Sequence, residues 1–162
     1  MPRARSVTAR LARREIHVPD REWSLESRTR TSPVGVRVDA VPEQLTMLRA
    51  LAETVTLMAD FALDEVTDIR VALDEIATCL LPAAVPGSSI ECEFDFDGDR
   101  MTVRVIGLAT RLGMIDEDSF GWHVLRTITD TLVVHETDTD GSGLGHPVVI
   151  EFTRRRGDGD AG

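Results

Sequence analysis

Glu75 and Cys79 are the side chains of this sequence whose types and positions most invite chemistry. They lie in Val71-Ala72-Leu73-Asp74-Glu75-Ile76-Ala77-Thr78-Cys79-Leu80-Leu81, which reads as an amphipathic helix with a pair of acids in an otherwise apolar run. A lone acid in such a place suggests an active site. The plainer reading is an acid at a helix edge, or an N-terminal pair with Arg70 or Arg126. The Cys79 thiol is read as a small buried apolar side chain, or else as a redox-sensing group, with Cys92 on a strand as a second candidate. His17, His123, His135 and His146 are scattered and make no zinc spacing. Asp138-Thr139-Asp140-Gly141 has a faint look of a calcium loop. It lacks the glutamate such a loop needs, with Pro147 in that place if the loop opens at Glu136, so a solvated hairpin is expected.

The elements that must position these residues follow from periodicity. Val34, Val36 and Val38 alternate with Gly35, Arg37 and Asp39, which is a strand signature. Pro42 and Glu43 suit a helix start, and Leu45, Leu48, Leu51, Ala52, Val55 and Met58 recur at helical spacing, predicting a helix over 42–60. Asp64 is the expected N-cap of the next helix, whose stripe is Val66, Ile69, Leu73, Ile76, Ala77 and Leu80, ending near Pro82. Ile90, Cys92, Phe94 and Phe96 alternate with acids; Asp97-Gly98 is a hairpin signal, and Met101, Val103 and Val105 continue beyond it. A third helix is expected from Ser119 to about Leu132, with Phe120, Val124, Leu125 and Ile128 inward. Leu132–Val134 and Val148–Ile150 form a last pair of strands. The order β-α-α-β-β-α-β-β predicts an α+β two-layer sandwich, a mostly antiparallel mixed sheet covered by helices on one face.

A chain of 162 residues, 42% apolar and 28% charged, fits one ordinary globular domain. Domain boundaries are expected at 1–33, a flexible basic extension (with a possible short helix over Val7 to Ile16); 34–153, the folded domain; and 154–162, a disordered tail. No apolar run approaches the roughly 20 residues that span a bilayer, and no signal-peptide core opens the chain, so no membrane partner is expected. Two widely spaced cysteines suggest a reducing compartment, and a cytoplasmic location is expected. Residues 1–33 carry eight arginines against four acids, a balance of +4, whereas the rest carries ten against 24, or −14. So acidic a body argues against direct nucleic-acid binding and suits a partner with a basic face. All 18 basic residues are arginine and the chain has no asparagine, so no asparagine side chain can hold a metal here.

Two segments resemble a known family. Arg70–Leu81 is similar to the second helix of RsbW-type anti-sigma factors, keeping the Glu of their Glu-x-x-x-Asn box at Glu75 with Cys79 in the asparagine position. Asp118-Ser-Phe-Gly-Trp-His-Val-Leu-Arg-Thr-Ile-Thr-Asp130 resembles their third helix, and Ser-Phe-x-Trp-His-Val-Leu is particularly like the actinobacterial anti-sigma-F proteins (RsbW/UsfX type). The likeness covers roughly residues 34–153 and points to the GHKL superfamily of histidine kinase/Hsp90-like ATPases, the Bergerat fold.

The resemblance implies a cytoplasmic homodimer that binds a stress-response sigma factor and is released by a STAS-type anti-anti-sigma factor. Many family members also phosphorylate that second partner on serine with ATP and magnesium. On this reading Glu75 takes the catalytic-base position, Cys79 the magnesium-ligand position, and Arg49 the position of an arginine that grips the partners. Ile106-Gly107-Leu108-Ala109-Thr110 stands where the family has Asp-x-Gly-x-Gly, so Gly107 remains without the adenine-binding acid. Ser119-Phe120-Gly121-Trp122 stands at Gly-x-Gly-x, retaining Ser119 and Gly121 with bulky neighbours. Magnesium prefers oxygen ligands over a thiol. The expected cofactor is therefore none, with ATP and Mg²⁺ the alternative if the family activity is kept.

Overall fold

The structure, a computed structural model, describes residues 33–139 and 143–157; the extension before 33, with its possible helix over 7–16, lies outside them, as do Asp140 and the end of the tail. Nine elements follow in order: β1 (Val34–Asp39), a 3₁₀ turn (Pro42–Gln44), α1 (Leu45–Met58), α2 (Leu63–Ala83), β2 (Ser89–Asp97), β3 (Arg100–Ala109), α3 (Phe120–Ile128), β4 (Thr131–Glu136) and β5 (His146–Arg155). The strands form one sheet in the order β1-β2-β3-β5-β4, and every pairing is antiparallel, so the sheet is not mixed.

Side-chain alternation divides the sheet into two faces. Ile90, Cys92, Phe94, Met101, Val103, Val105, Val148, Ile150 and Phe152 are buried beneath the helices. The opposite face carries Arg37 bonded to Glu91, and Arg104 between Glu93 (3.1 Å) and Glu151 (2.7 Å). These half-exposed pairs contribute at most about 1 kcal/mol each; their main effect is to fix which face looks outward. The core rests on α2, whose Ile69, Ala72, Leu73, Ile76, Ala77 and Leu80 are all buried. Burying each of its larger side chains is worth about 1.5–3 kcal/mol, so this stripe sets the rotation of the helix.

Helix ends differ from expectation for local reasons. Pro42 opens a 3₁₀ turn rather than the α-helix itself, and Asp60 at φ 58° ends the α1 segment. Ala62, not Asp64, is the N-cap of α2, and with no capping side chain of its own its N–H donates to Glu65 Oε2 at 2.9 Å. Pro82 stands inside the last turn of α2 instead of beyond it. The helix α3 stops at Ile128 because Thr129 is extended, with its hydroxyl turned back to the Leu125 carbonyl (2.6 Å). The expectation that Phe120 points inward is corrected: Phe120 is 84% exposed and Trp122 only 1%. At about 100° per residue the two lie on nearly opposite sides of the helix, and the larger indole shares the inner side with Leu125. The β2–β3 turn is made by Gly98-Asp99, one residue later than Asp97-Gly98, with Asp97 already paired to Arg100.

β5 runs to Arg155, past the expected boundary at 153, and the residues after it are anchored. Arg154 pairs with Asp68 at 3.1 Å. Arg156 donates to the Ala59 carbonyl (3.0 Å) and lies 5.6 Å over the Phe96 ring, which meets Phe61 edge-on at 5.8 Å. Gly157 N–H donates to the buried carboxylate of Glu65, which thus ties the α1–α2 turn to the end of the sheet. Removing a buried acceptor strands its donors, at about 1–3 kcal/mol. Glu65→Ala is therefore expected to lower unfolding stability by about that much in urea melts, with Asp64→Ala close to neutral.

Candidate functional site

Because the buried stripe of α2 faces the sheet, its two acids are turned to opposite flanks. Asp74 faces α1, where it accepts from Arg49 Nε at 2.6 Å. Glu75 faces α3, half-buried, its carboxylate packed against Gly121. The pairings suggested by sequence are not made: Arg70 reaches Glu53 at 3.9 Å and Arg126 reaches Glu117 at 3.5 Å. Among the described residues no cation pairs with Glu75.

Ser119 caps α3, its hydroxyl accepting from Trp122 N–H at 3.2 Å. Asp116 begins the turn into this helix, its carboxylate taking the Asp118 N–H (3.0 Å) and its carbonyl the Ser119 N–H (3.2 Å). Gly121 lies so close to Glu75 that a β-carbon there would collide with Oε2. The first turn of a helix favours an anion by about 0.3–1 kcal/mol, and here the chain supplies that anion itself.

Cys79 lies one turn along α2 from Glu75. Burial pushes its thiol upward, and the charges of Glu75 and Asp116 push the same way. A protonated thiol between two carboxylates is a poor magnesium ligand and a slow nucleophile. Cys92 lies in β2 under the helices, where burial, and then the charge of Glu93, raises it to about 12. No group of three or more His, Cys, Asp or Glu among the described residues could hold a metal ion.

Gly107 does not join this cluster. It is an inner-face residue of β3, paired with Val148, and a β-carbon there would meet only Leu80 at 3.9 Å, an ordinary contact. The loop after β3 is held down: Gly113 N–H donates to Glu136 Oε2 (2.8 Å), and Met114 and Ile115 pack against the core. Arg49 keeps a side chain 43% exposed on the rim of α1, with its Nε fixed by Asp74.

Sequence reasoning missed two residues of this region. Asp74, the orienting partner of Arg49, was visible only as half of an acid pair. Gly145, at φ 137°, approaches the Ala109 carbonyl so closely that a β-carbon would lie 2.8 Å from it, and 2.7 Å from a Val85 methyl. Its signal was a glycine directly before a strand.

No family model matches the chain. It is 28% identical over 123 residues to the anti-sigma-F factor RsbW of Mycobacterium tuberculosis, in both strain CDC 1551 / Oshkosh and strain ATCC 25618 / H37Rv. The alignment covers 76% of this chain and 73% of that protein. Over that span the chain is similar to an RsbW-type anti-sigma-F factor. Its α+β sandwich, with three helices over an antiparallel sheet, is that expected of a GHKL-like relative.

Two sets of measurements probe this geometry. The atom facing a β-carbon at position 121 is the far end of a flexible side chain, whereas at position 145 the atoms include the Ala109 carbonyl of the backbone, at a φ that L-residues avoid. Gly121→Ala is expected to cost less than about 1 kcal/mol and Gly145→Ala about 2–3 kcal/mol by urea unfolding. The cysteines give a pH signature. Cys92 is raised from the ordinary value of 9.0 to about 12. Below 9.0 the thiol is protonated in both states; above it the unfolded chain ionises first, so stability falls as pH rises toward the folded value. Unfolding free energies measured from pH 8 upward should slope down by at most about 1.4 kcal/mol per pH unit for this group, and Cys92→Val should flatten that slope.

Proposed function

We propose that this protein is an anti-sigma factor that acts by holding its partner rather than by spending ATP. It binds a stress-response sigma factor of the sigma-F/sigma-B type in a stoichiometric complex and is released by a STAS-type anti-anti-sigma factor, acting in the cytoplasm as a homodimer. The observation that carries the binding half of this reading is the similarity to a protein named anti-sigma-F factor across 76% of the chain. The acidic body, at −14 beyond residue 33, suits a partner with a basic face. Arg49, oriented by Asp74 and partly exposed, is the side chain expected to meet a partner carboxylate with its remaining nitrogens.

The residues at the nucleotide positions support the other half, because they do not fit Mg²⁺-ATP. Cys79 offers a protonated sulfur where magnesium needs oxygen. Phosphate approaching α3 meets the carboxylate of Glu75 and the nearby charge of Asp116 instead of free amides. Gly107 lies within a regular strand, and the segment Ile106–Thr110 carries no acid to select adenine. A second reading, a serine kinase of the anti-anti-sigma factor with Glu75 as base, draws support from Glu75 lacking a cationic partner among the described residues.

Pull-down of host sigma factors separates the outcomes. The wild-type chain should retain one, Arg49→Ala should weaken retention at least about tenfold, the scale of losing one charge-assisted contact, and Cys79→Ala should leave it unchanged. Failure to retain any sigma factor would sink the anti-sigma reading. An added phosphate on the serine of the released partner, seen by mass spectrometry after incubation with ATP and Mg²⁺, would instead establish the kinase.

A further inference from the structure

The α1–α2 turn presents a patch that neither the fold nor the partner reading uses. Leu57 is 43% exposed, Met58 80% and Leu63 76%, three large apolar side chains within seven consecutive residues. Such a grouping at one corner is unusual for a solvated surface. Acids surround it: Asp60 in the turn, Asp64 at the start of α2, and Glu53 one turn back on α1. Neither Asp60 nor Asp64 forms an ion pair among the described residues, and Glu53 makes only the 3.9 Å contact with Arg70. The surface therefore asks for an occupant that is apolar along one line and cationic beside it.

The chain carries such a segment. Ala4, Val7 and Leu11 recur at i, i+3 and i+7, and Arg3, Arg10 and Arg14 recur beside them at i, i+7 and i+11, with Arg13 next to them. The connection is also short enough. Val34, where β1 begins, pairs with Phe94. Phe94 is two residues from Phe96, whose ring meets Phe61 of the α1–α2 turn at 5.8 Å. The chain thus enters the sheet at the same end of the molecule as the patch. The seventeen residues between Ile16 and Val34 can span up to about 55 Å, far more than this return requires.

We propose that the arginine-rich segment around residues 3–16 docks in cis over Leu57, Met58 and Leu63, its arginines facing Asp60, Asp64 and Glu53. The apolar contact supplies the affinity and the opposite charges set the register. Tethering raises the local concentration of the segment into the millimolar range, so even a weak intrinsic affinity suffices. This inference does not depend on which partner the protein binds.

Hydrogen exchange followed by mass spectrometry on the full chain tests it. Amides of residues 7–16 should exchange at least about tenfold more slowly in the wild type than in the variant Arg10→Glu/Arg13→Glu/Arg14→Glu. They should also be released by Met58→Asp/Leu63→Asp, which changes only exposed side chains; an unchanged urea transition would show that this variant keeps its fold. High salt should release them in the wild type. Equal exchange of residues 7–16 in all three proteins would overturn the proposal. So would protection that grows with protein concentration, which means a second copy, or protection that arises only with anionic lipid vesicles, which means a membrane.

Discussion

The burial of one helical stripe governs the rest of this molecule. With Ile69, Leu73, Ile76 and Leu80 of α2 against the sheet, residues 74 and 75 have no freedom to choose their neighbours. A step of about 100° per residue sends Asp74 toward α1 and Glu75 toward α3. The same rotation places Cys79 beside Glu75 and aligns Asp68 with Arg154 of β5. Rotating α2 to bring Glu75 elsewhere would expose several core side chains at about 1.5–3 kcal/mol each, far more than any surface ion pair returns.

This constraint gives the two acids different fates. Asp74 turns a flexible arginine into an oriented one, since its Nε is held while the side chain stays 43% exposed. Pre-orientation lowers the side-chain entropy lost when a partner binds. Glu75 fills the space next to Gly121 at the opening turn of α3, and Asp116 lies close enough to Cys79 to act on its thiol. Anions already sit where a phosphate would need positive potential. A kinase site inverts that pattern, with metal and backbone N–H groups gathering the phosphate charge. The contacts made in this region hold helices together, Asp74 to Arg49 of α1 and Glu75 against the first turn of α3.

Much of the fold was legible because its signals are local and periodic. The alternation at Ile90–Phe96, the helical stripe at Val66–Leu80 and the glycine of the β2–β3 turn each report on their own element. What escaped depends on contacts between distant segments. Phe120 and Trp122 are both plausible inward residues by type; only the packing of α3 selects the indole. Glu65 looked like an acid of a first helical turn, and its buried role needs Gly157, 92 residues away. Gly145 needs Ala109, and Asp74 needs Arg49, 25 residues earlier. The candidate site was legible as a set of positions, Glu75, Cys79, Ser119 and Gly121. That Glu75 itself presses on Gly121, and that Gly107 lies apart under Leu80, required the tertiary structure.

The central claim is that the helix bearing Glu75 and Cys79 serves a binding surface and not a nucleotide site. Calorimetric titration of the full chain with ATP in the presence of Mg²⁺ tests this most directly. The account predicts no saturable heat up to millimolar nucleotide, with Cys79→Asn the change most able to introduce some. Binding by the wild-type chain in the micromolar range would contradict it.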